Sequence, residues 1–103
     1  MKKYEVIVSD SAKKDLRDIY TYISNNLFYP NDALNLIKLI ERNIKNLDVM
    51  PERFRKYEEY EDKNIRICRV KKYLIFYDVN DDKDRVEVIR VLYSSRNYDE
   101  IFK

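Results

Sequence analysis

The sequence predicts an α+β domain in which two helices pack on one face of a mostly antiparallel four-stranded sheet, in the order β-α-α-β-β-β. Two apolar helical stripes occupy the first half of the 103 residues, and three short strands joined by tight turns occupy the last third. The third observation is compositional: the chain has no Gly and no His. Fold and chemistry are therefore both narrowed from the start.

Residues Lys3 to Val8 alternate as a first strand, with Tyr4, Val6 and Val8 on one face. Ser9, Asp10 or Ser11 can then cap a helix, because their short side-chain oxygens accept unpaired amide protons. Ala12, Leu16, Ile19, Tyr20, Ile23 and Leu27 recur at helical spacing, and Lys13, Lys14, Asp15, Arg17 and Asp18 are assigned to the solvent face. Pro30 breaks this run and restricts Tyr29. A second helix, with Asn31 as cap, continues to about Leu47 through Ala33, Leu36, Ile37, Ile40 and Ile44. So short a connection predicts an antiparallel helix hairpin.

The segment MPERFRKYEEYEDKN reads as a polar crossover. Strands follow at Ile65–Val70, Tyr73–Val79 and Arg85–Leu92, with turns at Lys71-Lys72 and Asn80–Asp84. YLIFYDV is nearly continuously apolar, as a central strand should be. Without glycine, left-handed turn residues are expected at Asn or Asp. Ser94–Phe102 is expected to form a last helical turn. No repeat or second domain is evident, so residues 1–103 read as one domain.

Several kinds of chemistry are excluded. Phosphate-binding glycine loops need backbone that a Cβ obstructs, and no imidazole is present for a catalytic triad or a metal site. The acidic DDKD run lacks the glycine and distal Glu of a calcium loop, so no metal and no cofactor are expected. No stretch of ~18 apolar residues is present, and the start lacks a secretory apolar region, which predicts a cytoplasmic protein with no membrane contact. The lone Cys68, set in a strand pattern, is expected to be a buried thiol.

The net charge of +2 conceals segregation. Lys63, Arg66, Arg69, Lys71 and Lys72 follow one another without an acid, directly after the acidic Glu58, Glu59, Glu61 and Asp62. Such a run sets up a local positive field. Arg66 and Arg69, three residues apart, should face opposite sides of the sheet: Arg66 in phase with Cys68 and Val70, Arg69 with Ile65 and Ile67.

SAKKDLRDIYTYISNNL, LDVMPERFR, IR...VKKYLIFYDV and VEVIRVLYSSRNYDEIF, in that order, resemble the RelE/ParE family of toxins from type II toxin–antitoxin systems. The resemblance covers nearly the whole chain. It implies a growth-arresting toxin of the plasmid-stabilisation type, neutralised by a cognate antitoxin that wraps an amphipathic segment around it. RelE-like members cut ribosome-bound mRNA without a metal, whereas ParE-like members inhibit DNA gyrase. In ribonuclease members the residue after the first aromatic of the central strand is commonly Arg; here it is Leu74. The His found after the last strand in several of them is missing, with Tyr93 near that position. These departures favour gyrase inhibition over an mRNA interferase activity. A non-toxic binding module on the same fold is the reading of a different class.

Should the chain cleave RNA, Arg66, Arg90, Tyr93 and Arg96 are the candidates to stabilise the phosphorane and supply an acid. A guanidinium bonds two phosphate oxygens at once. Arg69, Lys71, Lys72 and Tyr98 are candidates for holding phosphate or target. Glu58, Glu59 or Glu61 is the candidate carboxylate base. The ordinary role outweighs the functional one for each: a solubilising residue for a strand arginine, and packing for Tyr20, Tyr73 and Tyr77.

Overall fold

The last strand organises the molecule, because both the first strand and the first helix attach to it. The computed structural model describes residues 1–26, 29–57 and 64–95. In chain order these form β1 (Glu5–Val8), α1 (Asp10–Thr21), which runs on into a π-wound turn at Tyr22–Asn26, and α2 (Pro30–Lys45). Short 3-10 turns at Asn46–Asp48 and Pro51–Arg53 lead to β2 (Arg55–Lys56), β3 (Ile65–Val70), β4 (Tyr73–Asn80) and β5 (Arg85–Tyr93). The sheet order is β1-β5-β4-β3-β2, with β1 parallel to β5 and every other pair antiparallel. The α+β architecture matches the expectation with one addition. A fifth strand, β2, emerges from the crossover, where Arg55 and Lys56 pair with Ile67 and Arg66. Two residues are too few to show a period-2 pattern.

Ser9 caps α1. Its Oγ accepts from the Ala12 amide at 3.1 Å and donates to the Ile89 carbonyl at 2.9 Å, while its own N–H donates to Val88 O. One residue thus starts the helix and fastens it to β5. The start of α2 departs from the expectation. Pro30, not a residue after Asn31, opens it, and the cap position Tyr29 makes no side-chain capping bond. Proline suits the first helical position, where its missing N–H would have had no partner. Leu27, expected on the α1 stripe, lies outside the described residues, as do Ile101 and Phe102 of the expected terminal turn.

Apolar side chains are buried on both faces of the sheet, which explains the unbroken apolar run in β4. On the helix-covered face Cys68, Ile75, Tyr77 and Val88 meet Ala12, Ile40, Ile44 and Leu47. On the opposite face Ile65, Ile67, Leu74, Phe76 and Leu92 cluster with Tyr57. Each fully buried aliphatic or aromatic side chain contributes about 1.5–3 kcal/mol relative to exposure. Cys68 is a buried free thiol, and burial pushes its pKa up. Of the three positive-φ positions among the described residues, Asp84 (50°) follows the Asn/Asp expectation. Lys71 (55°) and Met50 (48°) do not, because in this glycine-free chain the tight β3–β4 turn and the residue before Pro51 must bend with what is there.

Candidate functional site

Arg66, Arg53 and Tyr77 hold the loop between α2 and β2. The short 3-10 turns of this loop pair only some of its carbonyls with backbone amides, and side chains meet others. Arg53 donates to the carbonyls of Asn46, Val49 and Met50, and its guanidinium lies over the Phe54 ring at 4.6 Å. Arg66 Nη1 donates to Phe54 O at 2.8 Å and Glu52 O at 3.1 Å. The buried Tyr77 hydroxyl donates to Pro51 O at 2.5 Å, and loss of hydration on burial raises its pKa strongly. Arg66 lies on the helix-facing side in phase with Cys68, as expected. It holds this loop rather than standing free for phosphate.

Arg90 is engaged elsewhere. Opposite Phe76 and Tyr77, β5 carries a bulge: Tyr77 pairs with Val88 and Phe76 with Arg90, leaving Ile89 unpaired. β1 pairs β5 only as far as Val88, so the edge of β5 beyond that point needs other partners. Helix α1 provides them. Ser9 Oγ bonds Ile89 O, and the Asp15 carboxylate accepts from the Val91 amide at 2.9 Å. The same carboxylate takes Arg90 Nε at 2.7 Å and Nη2 at 2.9 Å in a two-point ion pair. That hydrogen bonding raises the Arg90 pKa. Asp15 is only 7% exposed, which corrects its assignment to the solvent face. The spacing Ala12-Asp15-Leu16-Ile19 carried the signal: an acid set within an apolar stripe demands a buried partner.

The bulge also sets the phase of the strand end. Val86 and Val88 face the helices, and after the extra residue so does Val91. Tyr93, two residues on, therefore meets Tyr73, its register partner. Their rings stand edge to face with centroids 5.5 Å apart. Burial and the nearby Tyr93 and Tyr22 hydroxyls raise the Tyr73 pKa. The β3–β4 turn lies alongside, since Ser94 N–H donates to Lys72 O. Arg69, exposed on the face opposite Cys68, donates from Nε to Lys71 O at 2.9 Å.

The sequence-predicted residues thus fall into separate groups. Arg66 serves the loop, Arg90 serves α1, and Tyr93 joins Lys71, Lys72 and Arg69 at the turn end of the sheet. Arg96 and Tyr98, with Glu58, Glu59 and Glu61, lie outside the described residues. Among the described residues no cluster of acids and Cys is placed to hold a metal, and no helix is long and apolar enough to cross a membrane.

A groove missed in the sequence runs between the helices and the outer edge of β1. One cavity of about 490 Å³ is lined by Val6, Val8, Leu16 and Ile44 with Lys13 and Lys45 at its rim. A second, of about 550 Å³, is lined by Leu16, Tyr20 and Ile37 with Lys13 and Arg17. Leu16, Lys13 and Glu41 border both, so the two form one channel. Tyr20, placed on the apolar stripe from its spacing, is 40% exposed there and lines the second cavity.

Helices on one face of a mixed sheet form a fold shared with proteins of solved toxin–antitoxin systems. A structure of the chromosomal ParDE system from P. aeruginosa matches with a TM-score of 0.74 at 16% identity, over 90% of this chain and 98% of that one. The RelBE2 toxin–antitoxin complex from Mycobacterium tuberculosis matches at 0.64 and 21% identity, over 93% and 97%. A mutant of the E. coli toxin RelE in the free state matches at 0.63 and 19%, over 97% and 90%. No curated protein matches. The family model for the ParE toxin of the parDE type II toxin–antitoxin system matches residues 6–98, and the chain belongs to that family.

Proposed function

We propose that this chain, acting as one domain over residues 1–103 in the cytoplasm, arrests growth by inhibiting DNA gyrase and is neutralised by a cognate antitoxin. The engagement of Arg66 and Arg90 carries this reading. Metal-free RNA cleavage needs cations that are free to meet a phosphate as charge develops on it. Here one strand arginine is bonded to two loop carbonyls and the other is paired with a buried carboxylate. Leu74, at the position where ribonuclease relatives commonly carry Arg, is 4% exposed and packed in the second apolar cluster. Membership in the ParE family supports the same choice. Gyrase inhibition needs a shaped surface and no catalytic group.

The antitoxin reading rests on the groove. An amphipathic helix fits a channel with apolar walls whose rim carries Lys13, Arg17 and Lys45 along with Glu41 and Asp48, and the excess of cations favours acids on the incoming segment. Purified chain added to gyrase and relaxed plasmid should block supercoiling, and it should leave ribosome-bound mRNA intact on a primer-extension gel. Cleaved mRNA with normal supercoiling would overturn the reading.

A further inference from the structure

Three tyrosines gather at the end of the sheet that carries the β3–β4 turn. Tyr22, on the π-wound turn after α1, is 54% exposed, and Tyr93 is 42% exposed. Tyr73 stands edge to face with Tyr93, and the Tyr22 hydroxyl is near enough to help raise the Tyr73 pKa. Exposed aromatic rings are unfavourable in water, so a group of them held together needs a reason. Packing against the core supplies one for Tyr73, whereas Tyr22 and Tyr93 keep about half of their surface in water. Beside them, Lys71 and Lys72 form the exposed turn, and Arg69 braces the Lys71 carbonyl. Lys71 holds a positive φ of 55° that costs a non-glycine residue energy, and strain of this kind collects at working surfaces.

The charge pattern adds a direction. Asp81, Asp82 and Asp84 occupy the β4–β5 turn at the opposite end of the sheet, while the tyrosine end carries cations. Rings that offer a π face beside ammonium groups suit a strand with unstacked bases and an anionic backbone, whereas a duplex keeps its base faces covered. We propose that Tyr22, Tyr73 and Tyr93, with Lys71 and Lys72 beside them, form a stacking platform for single-stranded DNA. The choice of DNA rests on the gyrase reading, since a topoisomerase exposes DNA that is locally broken or unpaired. Asp15 acts through the bulge as a positioning residue, because the phase it stabilises is what brings Tyr93 onto the face of Tyr73.

The test uses the full chain and a dye-labelled dT12 oligonucleotide, followed by fluorescence anisotropy at low and moderate salt. Tyr22→Ala and Tyr93→Ala should each weaken binding about five- to a hundredfold, the range for loss of one stacked base, with unchanged melting temperature. Tyr22→Phe should bind like the parent, because a phenyl ring stacks as a phenol does. Lys83→Ala, at the far turn, should have no effect. A 12-base-pair duplex should bind more weakly and ignore Tyr22→Ala. Absence of dT12 binding, or equal affinity for Tyr22→Ala and parent, overturns the platform. Tighter binding of rU12 than dT12 overturns its assignment to DNA. Supercoiling measured separately distinguishes the two readings: normal supercoiling with a tyrosine-dependent dT12 affinity sinks gyrase inhibition and leaves the stacking result in place.

Discussion

Asp15 illustrates how much one side chain can settle. Its two oxygens accept from a guanidinium and from a strand amide, so removal leaves two sets of donors unsatisfied. Asp15→Ala is expected to destabilise the fold by about 2–4 kcal/mol, within the range for breaking a buried pair, since Arg90 retains partial access to water. Urea unfolding at neutral pH measures this, and a loss below about 0.5 kcal/mol would place the pair among ordinary surface bridges. Tyr77 makes a second test at this scale. Burial raises the pKa values of Tyr77, Tyr73 and Cys68, so in the folded state they stay protonated where the unfolded chain has lost its protons. Their contribution is fully present below the ordinary thiol and phenol values and is lost as pH rises past about 9 to 10. Tyr77→Phe should lose about 1–3 kcal/mol near neutrality, from the unpaired Pro51 carbonyl, and should show a shallower fall at alkaline pH. Stability curves at several pH values from 7 upward report both effects.

Elements were legible where pattern is local. Both helical stripes, the central strand and the Lys71-Lys72 turn follow from periodicity and punctuation within a few residues. What was hidden depended on partners far along the chain. Asp15 and Arg90 are separated by 75 residues, and nothing near either one names the other. The bulge at Ile89 leaves no mark in VEVIRVL beyond an untidy alternation, yet it decides which face Tyr93 occupies. The β2 strand exists because β3 offers it an edge. Site residues fared unevenly for the same reason: arginine in a strand announces charge, while its engagement by loop carbonyls or a helix carboxylate is a tertiary fact. The left-handed backbone at Lys71 strains the β3–β4 turn. Asn tolerates a left-handed backbone better than Lys, so Lys71→Asn should raise stability by up to about 1 kcal/mol in chemical denaturation. A decrease would show that the Lys side chain itself supports the turn.

Taken whole, the molecule has two distinct surfaces: the helix–β1 groove with a basic rim, and the aromatic end of the sheet. The groove lies along β1, whereas the tyrosines adjoin the β3–β4 turn, so separate substitutions can address them. Reversing charge at Lys13 and Arg17, both exposed, should weaken capture by an acidic antitoxin segment about tenfold or more at low salt. The loss should shrink as salt screens the rim, and thermal stability should hold. Titration calorimetry at two ionic strengths reads the difference, and undiminished affinity would place the antitoxin elsewhere.

The joining of Ser9 to Val88 and Ile89 has a temporal meaning. A chain emerging from the ribosome exposes β1 and both helices long before it makes the strand they need. Contacts so distant in sequence form late, after a large entropic loss of closure. Until β5 is made, neither β1 nor α1 has the strand that fixes it, so the fold closes only after that strand has been synthesised.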